Sequence, residues 1–126
     1  MEEELKKRLE SDASGLLTYE YIANNINNAG FGDEVDWLTD NIINVDKTGQ
    51  FVVSTARYLN AIDKVSFASQ IDRLIKAAIV ADRERAYLGV LASSIWGDDY
   101  QDRAASLIAS DDNFRRIYKR LYPIGI

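Results

Sequence analysis

The sequence predicts an all-α protein: a compact bundle of about six to seven short helices packed at sharp angles around a central helix near residues 64–81. Three observations carry this. Apolar residues recur at helical spacings of three and four in nearly every segment. Proline occurs once, at Pro123, so no interior stretch is barred from helical geometry. Six of the seven glycines fall between the periodic segments, where they can end helices or make turns.

The elements follow in order. Glu2–Ser11 reads as a charged helix with only Leu5 and Leu9 as an apolar seam, so residues 1–12 are expected to pack loosely. Leu17–Asn28 places Leu17 and Tyr21 on one line and Ile22 and Ile26 on the next. Thr18 is the expected cap, and Asn27, Asn28 and Gly30 stop the helix. Asp33–Val45 carries Val35, Leu38, Ile42 and Val45 on one stripe, with Asp33, Glu34 and Asp36 in the first turn, where carboxylates favour the positive end of a helix dipole. Residues 43–54 fit either a short hairpin about Lys47-Thr48-Gly49 or a helix from Gln50 to Ile62 capped by Thr48. The helix is favoured, because Ala56, Leu59 and Ile62 continue its spacing. Asp63 caps the strongest helix, where Phe67, Ile71, Leu74, Ala78 and Ala81 form the stripe. At the run Asp82-Arg83-Glu84-Arg85, before Leu88, Leu91 and Ile95, either one long helix continues through an exposed turn or Asp82 caps a second helix; a break or bend is favoured, and Trp96-Gly97 ends that segment. Asp98 or Asp99 caps a helix with Tyr100, Ala104, Leu107 and Ile108 inward. Ser110 or Asp111 caps the last, with Phe114, Ile117, Tyr118 and Leu121 inward and Pro123 as the stop. No repeat of solenoid period is visible.

The chain has 126 residues and 14.2 kDa, which fits a single helical domain, 1–126. With 47% hydrophobic and 28% charged residues, the balance is that of a globular protein rather than a disordered one. No apolar run is long enough to span a bilayer, and Met1-Glu2-Glu3-Glu4 does not open a signal peptide, so the cytoplasm is the expected compartment. Cysteine and histidine are both absent. Disulfides, the usual zinc and haem ligand sets, iron–sulfur clusters and imidazole triads are thereby excluded, and no cofactor or metal is expected.

Charge is unevenly spread along a chain of net −5. Leu9–Asp46 holds eight acidic side chains and no lysine or arginine, whereas residues after Asp46 carry an excess of bases. Such a block attracts a basic surface and repels phosphates. The expected function is non-enzymatic binding of another macromolecule, a protein with a basic surface, through the acidic 10–46 region, with Asp33, Glu34, Asp36 and Asp40 as the contact. One alternative is an acidic mimic of nucleic acid, which needs carboxylates spaced regularly on one exposed face. Another is phosphate or nucleic-acid binding by the last helix, where Arg115, Arg116, Lys119 and Arg120 fall on one face; cations near a helix C-terminus also serve its dipole. The last is an enzyme with a carboxylate site, which lacks a marked constellation, since no acid pair is set among apolar residues and nothing selects one serine. The segment 17–45 has the outline of a helix-turn-helix, but its second helix offers only Asp33, Glu34, Asp36 and Asp40 to a groove, so nucleic acid is not the expected partner there. Clustered acids at 33–36 and 98–102 lack the alternation and central glycine of a calcium loop and read as helix caps. Complementary halves also predict self-association that weakens with salt.

Overall fold

The computed structural model describes residues 1–123. Residues 124–126, the end of the expected domain, lie outside the described residues. Eight helices account for the fold among the described residues, with no strand: α1 (Glu3–Ser11), α2 (Leu16–Asn25), α3 (Phe31–Val45), α4 (Gln50–Asp63), α5 (Ala68–Ala81), α6 (Leu88–Trp96), α7 (Ala104–Ser110) and α8 (Asp112–Leu121). The all-α expectation holds, and the count exceeds the expected six to seven. The chain separates at Asp82, so the periodic stretch 64–96 is two helices rather than one. Residues 43–54 form no hairpin: α3 runs to Val45 and α4 starts at Gln50.

The helices stack in two layers. One row runs α1, α3, α5, α8; the other runs α2, α4, α6, with α8 closing both and α7 packed on α8. The expected central helix shares its place with α4: the α4–α5 contact is the most extensive in the molecule, and α4 also touches α2, α3 and α6. Helices α3, α5 and α8 run in the same direction. Asp36 of α3 meets Gln70 and Arg73 of α5, and further along Ile43 shares a groove with Ala77. Asn113 of α8 meets Asp72 of α5, while Arg120 reaches the carbonyl of Ile79. The interior is aliphatic through the middle, with Ile22, Leu38, Ile42, Leu59, Leu74, Leu88 and Leu91 fully buried. It turns aromatic at the α8 end, where Trp96, Tyr100 and Tyr118 surround the buried Phe114 ring at 5.2–5.9 Å.

A turn built on one aspartate recurs where the rows exchange. Asp46, 3% exposed, receives the N–H groups of Thr48 and Gly49 on Oδ1 and those of Phe51 and Val52 on Oδ2, at 2.8–3.0 Å. Asp82, 1% exposed, receives Ala86 N–H on Oδ1 and Tyr87 and Leu88 N–H on Oδ2, at 2.7–2.9 Å. Asp12 receives the Ser14 hydroxyl and the Leu17 N–H. Each carboxylate satisfies amide groups that the next helix leaves open at its start. Three residues after each aspartate the backbone turns left-handed, at Gly15 (φ 89°), Gly49 (φ 89°) and Arg85 (φ 58°). The geometry therefore repeats although the sequence shows no repeat, because only the aspartate is common to DASG, DKTG and DRER.

Five expected details change. Asp63 does not cap α5: it ends α4 and accepts the Ser66 N–H in the turn before α5 starts at Ala68. Thr18 is no cap: it is fully buried in α2, and its hydroxyl accepts from Asn41, which ties α2 to α3. Leu17 and Ile62, placed on inner lines, are 38% and 48% exposed. Asp46 rather than Thr48 supplies most of the α4 cap. Residues 98–103 are turns, so the helix after Trp96 starts only at Ala104, although Tyr100 does face the core. Asp111 does cap α8, accepting the Phe114 N–H.

Candidate interaction surface

The acidic block of residues 9–46 divides by role once folded. Asp12 and Asp46 are turn caps. Glu34 accepts the Tyr21 hydroxyl at 2.9 Å and lies 3.6 Å from the Met1 ammonium. Burial and this carboxylate hold the Tyr21 phenol above its usual ionisation range. Asp36 and Asp40 both bind Arg73, which reaches across from α5, and Asp36 also accepts from Gln70. Glu10, Glu20 and Asp33 are exposed and have no ion pair among the described residues.

Of the four acidic residues singled out in the sequence, three share a surface. Asp33, Asp36 and Asp40 are exposed and lie along one line of α3, at i, i+3 and i+7. Glu34 faces α2 instead, towards Tyr21. The side chains of Asp36 and Asp40 remain 72% and 64% exposed while paired, so Arg73 reduces their charge without covering them. This cation on α5 is absent from the local sequence, and it makes the stripe less negative than composition alone implies.

The four basic residues of α8 also divide. Arg120 donates from both guanidinium nitrogens to the carbonyls of Ile79 and Asp82, at 2.5 and 2.7 Å, closing the open C-terminal end of α5. Arg115 pairs with Asp112 one turn earlier, which keeps that carboxyl below its usual range. Lys119 is exposed and Arg116 half-buried, and neither has a carboxylate partner among the described residues. Arg115, Arg116, Lys119 and Arg120 line one groove together with Ile79 and Val80 of α5. The apolar floor of that groove was not anticipated. The signal available was Val80 itself, an apolar residue off the stripe of its helix.

Asp33, Asp36 and Asp112 sit towards the helix starts, and Lys47, Arg83, Lys119 and Arg120 towards or just beyond the helix ends. Each sign favours the helix end that it occupies. Phe31 is buried against Phe67, and Tyr19 packs with Phe51 and Tyr58. Among the described residues no helix is long and apolar enough to cross a membrane, and no group of acidic residues is arranged to hold a metal ion. Comparison with protein-family models, curated proteins and solved structures returns no match.

Proposed function

We propose that this chain is a non-enzymatic helical module of the cytoplasm that binds another protein, one with a basic surface, through the acidic stripe of α3. One observation carries the reading: Asp33, Asp36 and Asp40 stand in a line, exposed, on a single face of a rigid helix. Arg73 supports it in a second way. By holding Asp36 and Asp40 in one geometry, it lowers the side-chain ordering cost of an incoming contact. A basic partner would then displace or share Arg73, and complementary charge would raise its rate of encounter.

The test is affinity capture with the full chain as bait, comparing the parent with Asp33→Lys, Asp36→Lys and Asp40→Lys combined. All three side chains are exposed, so the fold should persist, which circular dichroism checks. A basic protein retained by the parent and lost by the variant is the expected result. Identical captured sets overturn the reading.

A further inference from the structure

Val80, 68% exposed, forms an apolar ridge on α5 between two grooves. On the α3 side the groove is lined by Ile43, Lys47, Ala77, Ala81 and Arg83. On the α8 side lies the groove of about 660 Å³ floored by Ile79 and walled by the four α8 cations. An exposed valine is thus ringed by positive charge. Among the described residues, the one carboxylate that lines either groove, Asp46, is buried and engaged by the α4 amides.

Helix-end electrostatics accounts for part of this ring. Arg120 closes the end of α5, and Lys47 donates to the Asn44 carbonyl at 2.6 Å, closing the end of α3. Arg115 has Asp112. Arg83, Arg116 and Lys119 have no side-chain hydrogen bond or ion pair among the described residues; Lys119 favours the C-terminal end of α8 and Arg116 acts on Asp112 only through space, so their side-chain donors stay open to a partner. One exposed apolar side chain within a field of a single sign offers a segment of the opposite sign both an anchor and charge complementarity.

We propose that this ridge is a second docking surface, distinct from the α3 stripe, for an acidic segment of a partner protein. An apolar side chain of that segment seats on Val80, and its carboxylates reach Arg83, Arg116 and Lys119. Charge complementarity selects the acidic class, and the valine ridge selects an apolar anchor. A nucleic-acid strand fits less well. The molecule carries a net charge of −5, the α3 stripe shares the layer, and neither groove is lined by an aromatic ring for base stacking.

The test uses a labelled synthetic peptide of glutamates around one leucine, titrated against the full chain by fluorescence anisotropy. The same peptide with serine for leucine, and single-stranded DNA of equal charge, serve as comparisons. The leucine peptide is expected to bind most tightly. Lys119→Glu is expected to weaken it at least about tenfold, the scale of losing one close charge contact and adding a repulsive one. Val80→Ser is expected to reduce it to the affinity of the serine peptide, and Asp33→Lys to leave it no weaker, which separates this site from the α3 reading. Both residues 80 and 119 are exposed, so thermal melts should match the parent. The proposal is overturned if the leucine peptide does not bind, if it binds no better than the serine peptide, or if DNA binds more tightly. It is also overturned if sedimentation shows a dimer that Lys119→Glu disperses, since the ridge would then be covered by a second copy.

Discussion

A Cβ on Gly49 would lie 3.3 Å from the Cβ of Asp82, so the turn that opens α4 is pressed onto the turn that opens α6. The same relationship links Gly15 to Asp46, again at 3.3 Å. Gly15 and Gly49 therefore each pack on the aspartate of the next such turn, and these contacts hold the two rows of helices in register. Gly49→Ala meets both a positive φ and a crowded site, and should cost about 1–3 kcal/mol. Gly30→Ala, with φ −88° and open space around it, should change stability by less than about 0.5 kcal/mol. Urea denaturation of the two variants checks the contrast; equal midpoints would contradict it.

The third turn puts Arg85 at φ 58° where the first two have glycine. Arg85→Gly relieves left-handed strain but adds freedom to the unfolded chain, for a net gain of about 0.5–1 kcal/mol. A loss of stability in the same denaturation assay would show that the long contact of Arg85 with the Arg120 carbonyl matters more than the backbone.

Removing a buried cap leaves several amides without partners. Asp46→Ala and Asp82→Ala should each cost about 2–4 kcal/mol, above the range for a surface cap because these amides are screened from water. Arg73→Ala should cost less than about 1 kcal/mol, since both of its ion pairs are exposed. Chemical denaturation ranks the three, and a larger loss for Arg73→Ala than for Asp46→Ala would reverse the assignment of roles.

Acid and alkali should act on different parts of the molecule. Lys76 holds the Asp72 carboxyl below its usual 3.8, as the Ser66 amide does for Asp63 and Arg115 for Asp112. These carboxylates take up protons at higher pH in the unfolded chain than in the folded one. Their contribution is therefore present above about pH 4 and is lost as pH falls through the folded values. The phenols of Tyr21 and Tyr100 are raised above 10.0 by burial and by their partners, so the unfolded chain ionises first there. Their contribution is complete below that pH and is lost as pH rises past it. Asp72→Asn should flatten the acid limb of a stability–pH curve and leave the alkaline limb unchanged. An unchanged acid limb would contradict the pairing with Lys76.

Much of the fold was legible because its signals are local. Apolar stripes and capping residues lie within a few positions of what they determine, as Phe114 and its cap Asp111 show. The break at Asp82 was visible for the same reason. The two-layer stack was not, because Gly15 against Asp46 and Gly49 against Asp82 are contacts between turns far apart in the chain. Asp46 was counted with the surface acids, since nothing next to it tells a buried cap from a solvated carboxylate. On the candidate surface, the line of Asp33, Asp36 and Asp40 follows from helical spacing alone. Their partner Arg73 does not, being brought across by the packing of α5 on α3.

The proposed contact with a partner lies on the outer face of α3. Zero-length carbodiimide cross-linking of the captured complex joins carboxylates only to amines in direct contact, so it reads that face without mutation. Links from Asp33, Asp36 or Asp40 to lysines of the partner are expected. Links confined to carboxylates elsewhere on the chain, with none from α3, would contradict it.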